Sequence, residues 1–411
     1  MKIFNELKEN RVVIIIMLIT IIAAGFFNQY LAKDYSRVNN DSTDFVSGKI
    51  VEITSSNLEY DQDLKINLGK QVVVVEILEG KSTGKRVEID NYLTAAHNVE
   101  VAIGSKVIIS ADEPDGIDSY YTVYNFDRGL GMIIFTCVLL LVIIAIGRGK
   151  GVKAILGLAY TLYLVIFLLL PTVFSGYSPV LMSIICVALS TIVTLMLLNG
   201  ASKKTYSAIV ATVLGVVLSA GGFYLMSLVL KVNGFSVDEA ESLVLINQAT
   251  GLSIKDILFA GILISSLGAI MDVGMSIVSA LSELFHHQPN LTQKQIFDSG
   301  IEIGKDMIGT MTNTLILAFT GSAFVSLLVL FSYNVDIKQL LSSNYIAIEF
   351  AQGIAGTLGI VLTVPIASFI SAWALTNKKS KPLGKILVQA IEKRYTLNPI
   401  LANKAISSLK R

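Results

Sequence analysis

Residues 256–284 read DILFAGILISSLGAIMDVGMSIVSALSEL, and only Asp256, Asp272 and Glu283 in that stretch carry charge. Twenty-nine residues of helix at 1.5 Å per residue outrun a bilayer core of roughly 30 Å. Gly261, Ser265, Gly268, Asp272, Ser276, Ser279 and Glu283 step by 4, 3, 4, 4, 3 and 4, which places them on one helical face. The other faces are Ile, Leu, Val, Met and Phe. Small residues let a second helix approach and hydroxyls bond across the contact. This face is therefore expected to look inward, toward protein or a water-filled cavity. Asp272 sits near mid-span, where an ionised carboxylate costs at least about 2.5–3.5 kcal/mol. It must be paired, hydrated or protonated. One reading makes it a coupling or ion-binding carboxylate. The other makes it a structural group that caps a helix break, permitted by Gly268 and Gly274, or that pairs with a buried donor.

Seven more apolar runs surround this one, near 12–31, 130–147, 154–174, 179–199, 206–230, 312–333 and 347–376. They explain a composition of 53% hydrophobic and 15% charged residues, where a soluble chain carries about a quarter charged. The fold expected is a membrane all-α bundle of about eight transmembrane helices, with a β-rich domain after the first. The net charge of +1 gives no sign of a nucleic-acid partner; the bilayer is the partner that composition implies. Residues 33–128 hold 17 acids and 10 bases, leaving 14 acids and 22 bases elsewhere, so the two parts face different surroundings. Lys2, Lys8 and Arg11 precede run one; Arg148, Lys150 and Lys153 separate runs two and three; Lys203 and Lys204 separate four and five. Nine further bases follow run eight, and the alternate connections are poor in bases. The positive-inside rule then puts both termini in the cytoplasm and 33–128 outside the cell membrane. The first run is too long for a signal-peptide core and lacks a clear cleavage site, so it reads as an uncleaved helix. The domains expected are 1–32 (N-terminus and first helix), 33–128 (β-rich), 129–376 (seven helices) and 377–411 (basic tail).

Within the outer domain, Phe45–Ile53, Val72–Glu79, Arg86–Ile89, Lys106–Ala111 and Tyr121–Phe126 read as strands. They are rich in β-branched and aromatic residues and bounded by Gly, Asp and Asn. EGKSTGK at 79–85 reads as a hairpin loop, and Gly104-Ser105-Lys106 as a turn. Five short strands suit a small barrel of the OB or SH3-like kind.

Thr292 and Gln295 fit a capping box, stapled by Leu291 and Ile296, so a helix is expected to start there and continue into run seven. Asp298, Glu302, Asp306, Gly309 and Asn313 lie along it. Glu302, Lys305 and Asp306 either line a cytoplasmic vestibule or form a solvated face with a Glu302–Lys305 pair. Asn313, deeper, reads as an interhelical or site polar group. In run eight Glu349, Gly353, Gly356, Thr363 and Ala367 share a face, and Pro365 removes a mid-membrane hydrogen bond. Ala208, Thr212, Gly215, Ser219 and Gly222 in run five read as packing. Between runs five and six, Ser236 with Glu239 fits a second capping box, and Ser253 with Asp256 a third. His286 and His287 point about 100° apart on a helix and have no spaced His or Cys partner, so no metal site is expected. No P-loop, GxSxG or HExxH occurs. Neither a catalytic residue nor a cofactor is expected.

GAIMDVGMSIVSALSEL (268–284) and DSGIEIGKDMIGTMTNTLILAFTG (298–321), with Arg148-Gly149-Lys150-Gly151 and the β-rich insert, make the chain resemble the YibE/F-like family of bacterial membrane proteins. The resemblance runs over essentially the whole chain. It implies a multi-span protein of the cytoplasmic membrane and supplies no catalytic set. The function expected from the residues is a secondary transporter or permease for a small solute or ion. Asp272 would be the coupling or ion site, with Ser265, Gly268, Ser276, Glu302, Asp306, Asn313 and Glu349 along the pathway. The alternative is a non-transporting scaffold or envelope-assembly factor that binds a protein through residues 35–126.

Overall fold

The structure is a computed structural model describing residues 11–31, 43–114, 116–232, 253–333 and 335–376, with Asn247 and Gly251. The capping box at Ser236 and Glu239, the bases Lys2 and Lys8 and the basic tail lie outside the described residues. The chain divides into two units, Ser36–Ile146 and Met1–Tyr35 with Gly147–Arg411.

The first unit carries five antiparallel strands: β1 (Thr43–Asp61), β2 (Ile66–Ile77), β3 (Arg86–Leu93), β4 (Lys106–Asp112) and β5 (Tyr120–Phe126). All five expected strands form, with strict in–out alternation in β3. That is the two-residue period of a sheet with one buried face. The order is β3-β2-β1-β4-β5, and β3 and β5 come together at its ends, curling the sheet into a half-barrel around Ile50, Val73, Val75, Ile89, Val107 and Ile109. The long β1 bridges the two halves. Residues 43–49 pair with β4, residues 48–61 pair with β2, and irregularities at Ile50/Glu52 and Ile53/Ser55 bend the strand where β4 stops. Such bulges increase twist and let a sheet close on itself. Gly48 sits at the crossing, where a β-carbon would run into the side chains of Ile109 and Val75.

Residues 94–105 seal the open side through two buried amides. Gln71 Nε2 donates to the Val101 carbonyl at 3.2 Å, and its Oε1 accepts from the Val101 amide at 3.1 Å. Asn91 Nδ2 donates to the Val99 carbonyl at 2.8 Å. Buried backbone without such partners would cost about 1–3 kcal/mol per group. At the far end, the hydroxyls of Ser82 and Tyr121 both donate to Glu113 Oε1 at 2.7 Å. They hold its carboxyl below the usual carboxylate range, with help from Lys81 and Lys85.

The helices are α1 (Arg11–Leu31), α2 (Gly129–Leu164), a π-turn (Val165–Leu169), α3 (Leu170–Phe174), α4 (Pro179–Asn199), α5 (Lys203–Val229), α6 (Ile254–His287), α7 (Gln293–Ser322), α8 (Phe324–Ser332), α9 (Ile337–Leu341) and α10 (Asn344–Thr376). Their starts follow local chemistry. Ser178 caps α4 ahead of Pro179, Ser202 caps α5 and Ser253 caps α6. Thr292 and Gln295 form the full reciprocal capping box on α7. Six helical stretches are long and apolar enough to cross a membrane, or seven when α7 and α8, bent by 58°, count as one. The difference from eight lies in Gly129–Phe174, counted once at 46 residues although roughly 69 Å long. Arg148, at φ 48 and ψ −129, interrupts it between Gly147 and Gly149, where one unit gives way to the other.

In the helical unit, α5, α6, α7 and α10 pack through glycines. A β-carbon on Gly359 would meet Ser219 at 2.7 Å and Ile270 at 2.6 Å, and one on Gly356 would meet Leu315 at 2.7 Å. Gly215 abuts Thr363, and Gly304 abuts Val364. Ser219 Oγ donates to the Ala355 carbonyl at 2.7 Å, a bond between α5 and α10. Without a hydrophobic drive between helices in lipid, such close approach and interhelical bonding supply the cohesion. The run-five stripe is thus packing: Ala208, Thr212 and Ser219 are fully buried. At the other edge, Thr20 Oγ1 and Tyr160 Oη lie 2.8 Å apart, and Tyr163 Oη donates to the Ile21 carbonyl at 2.9 Å, tying α1 to the end of α2.

Candidate functional site

α6 has two faces of opposite character. Ser266, Ile270, Gly274 and Ile277 are buried against α5 and α10; Gly274, for instance, stands beside Thr212 and Thr363. The stripe of Gly261, Ser265, Gly268, Asp272, Ser276 and Glu283 lies opposite and is exposed. It does not enter the packed centre of the helical unit, contrary to the inward orientation expected from small residues. The physical reason is that buried small residues were also available on the other faces, at Ser266 and Gly274, and these make the close contacts. Gly261 and Gly268 have open space where a β-carbon would stand. No hydrogen bond or ion pair reaches the Asp272 carboxylate among the described residues. Ser265 Oγ donates only to its own helix, at the Ile262 carbonyl.

On α7, Glu302 and Lys305 form an exposed ion pair at 2.6 Å, the pair that one of the two readings of their spacing describes. Asp306 and Asn313 are exposed on the same helix, while Gly300, Gly304 and Leu315 are buried against α10. Two outward polar faces thus exist, one on α6 and one on α7.

Glu349 stands apart. Ser266 lies opposite Gly356, Ile270 opposite Gly359 and Gly274 opposite Thr363, so α6 and α10 run parallel with a constant offset. By that ladder Glu349 is displaced from Asp272 by about 20 Å along the axes at 1.5 Å per residue. It is half-buried, and its Oε2 is buried with no hydrogen-bond partner. It faces a cleft of about 270 Å³ formed where α7 gives way to α8. Residues that line this cleft and were not singled out from the sequence include Phe319, Thr320, Ala323 and Phe350. Their signal was the small polar Thr320-Gly321-Ser322-Ala323 interruption inside an apolar run.

The profile of the family described as YibE/F-like protein matches residues 135–377. That is more than half of the chain. The chain belongs to the YibE/F-like family. The matched stretch contains both outward polar faces, Asp272, Glu349 and the α7–α8 break. It begins after the β-strands, so α1 and the half-barrel lie outside it, a narrower reach than the whole-chain resemblance expected. No curated protein matches the chain, and no solved structure does.

Proposed function

We propose that this YibE/F-like chain is a secondary transporter or permease of the cell membrane, with Asp272 as its coupling or ion site. The observation that carries the reading is a carboxylate without a partner near the middle of a spanning helix. A charge facing acyl chains there costs at least about 2.5–3.5 kcal/mol. On this reading the outward face of α6 is covered in the membrane by water or by polar protein groups, which hydrate or pair that carboxylate. Ser265, Gly268 and Ser276 line that route with Asp272, and Asp306 and Asn313 continue it on α7. Glu302 lies at its cytoplasmic mouth and Glu349 at the outer end. The bent α7–α8 pair and Pro365 inside α10 support the reading, because transporters bind solutes beside interrupted helices. The break at Arg148 divides Gly129–Phe174 into two spans, which makes eight and leaves both termini inside and the half-barrel outside. The half-barrel, an OB-like barrel by its strand order, presents solute or gates access.

The test is proton flux into liposomes holding the purified protein, read by entrapped pyranine under an imposed potassium diffusion potential. Wild type is expected to carry protons, with Asp272→Asn lowering the rate at least tenfold and Asp272→Glu retaining part of it. Equal rates in wild type and Asp272→Asn, including none in either, remove Asp272 from the mechanism.

One observation favours a second reading, a scaffold that binds a protein through the outer domain. Phe45 and Tyr124 stack edge-on at 4.9 Å, yet both are more than half exposed. Exposed aromatics on a sheet face are common binding anchors. On that reading Phe45→Ala with Tyr124→Ala abolishes function while Asp272→Asn is tolerated.

A further inference from the structure

The cleft at the α7–α8 break combines a free carboxylate oxygen with apolar walls. Ile316, Phe319 and Leu327 contribute from α7 and α8, and Ile346, Phe350 and Ile354 from α10. Glu349 is its one charged lining residue. No ion pair or hydrogen bond meets that carboxylate among the described residues. A buried acceptor without a donor or a counter-charge is costly, a cost that a bound cation offsets.

The walls decide which cation. A divalent metal needs about six oxygen ligands. The cleft offers one carboxylate and the Thr320 hydroxyl, and that hydroxyl already donates to the Ile316 carbonyl at 2.8 Å. An organic ammonium needs no such shell. Its charge is met by one carboxylate and by aromatic side chains, Phe319 and Phe350 being the two in the lining, and its body fills apolar space. A volume of about 270 Å³ lies just below the usual range of drug-sized sites, so the ligand is small.

We infer that the cleft bounded by α7, α8 and α10 binds a small organic monoammonium cation with an apolar body, held through Glu349. This inference does not rest on transport or on Asp272.

The probe is benzyltrimethylammonium, titrated calorimetrically into the full chain in lipid nanodiscs. Wild type is expected to bind it saturably, one molecule per chain, and Glu349→Gln to weaken binding at least tenfold. Asp272→Asn is expected to leave the affinity within twofold, which separates this site from the proposed coupling carboxylate. Gly353 supplies an independent variant. It lines the cleft, and a β-carbon there would stand in open space. Gly353→Leu should therefore fill the cleft without disturbing the helix contacts, abolishing binding while the melting temperature stays at or above that of wild type. Absence of saturable binding to wild type overturns the assignment. So does undiminished binding by Glu349→Gln or by Gly353→Leu, the result expected if the probe merely dissolves in lipid or the cleft holds an acyl chain.

Discussion

At the scale of single residues, two carboxyl groups show how surroundings decide a role. Glu113 lies in the half-barrel, where the Ser82 and Tyr121 hydroxyls hold its ionised form. Its folded pKa is lowered, so its contribution to stability is complete above the unfolded value of about 4.3. It fades as pH falls through the lower folded value. Glu113→Gln is accordingly expected to flatten the acid unfolding of the half-barrel below about pH 4, read as the pH dependence of amide exchange in residues 81–85 and 120–123. An unchanged acid profile would remove Glu113 from the acid response. Asp272 has no such donors, and neither has Glu349. The first was readable from the sequence as an intramembrane carboxylate on a helical stripe. Its direction was not, because Ser266, Gly274 and the stripe are all small or polar. Periodicity identifies a face without saying which neighbour it meets.

At the scale of elements, the five strands of the half-barrel were readable because they are rich in β-branched and aromatic residues and bounded by Gly, Asp and Asn. The extension of β1 and β2 through 54–71 was not. SSNLEYDQDLKINLGK is polar on both faces, and its strands form a ribbon closed by a turn in which Asp61 Oδ1 accepts from the Asp63 and Leu64 amides. The caps at Ser253 and Thr292 were readable from side-chain chemistry three residues apart. The interruption at Arg148 was readable too, since Arg148, Lys150 and Lys153 separate runs two and three, whereas the one at Ala323 was not singled out, because only the short Thr320-Gly321-Ser322-Ala323 stretch marks it inside an apolar run. The glycines of the helical unit divide by what surrounds them. Gly359→Leu, set against Ser219 and Ile270, is expected to destabilise the bundle by about 1–3 kcal/mol through overpacking. Gly268→Leu, on the open stripe of α6, is expected to leave thermal unfolding in detergent within about 1 kcal/mol, since exposed changes are usually small. Equal losses in the two would mean that the stripe is also packed.

At the scale of the whole molecule, the chain joins a half-barrel to a set of apolar helices, and the family match covers residues 135–377, the helices that follow the half-barrel. The helical unit coheres through α5, α6, α7 and α10 and leaves polar residues on its outside. That arrangement is stable in a bilayer only if those residues meet water or polar groups. Their environment in the membrane is therefore the point on which a permease stands. Single cysteines at Ser265, Gly268 and Ser276, in a background with Cys137 and Cys186 replaced by Ala, can be exposed to a charged, membrane-impermeant methanethiosulfonate in intact membranes. Modification at all three, with none at Ile270 on the buried face, is the result expected of an aqueous route along α6. Unreactive cysteines at all three would place the stripe in a dry contact and contradict a permease built on Asp272.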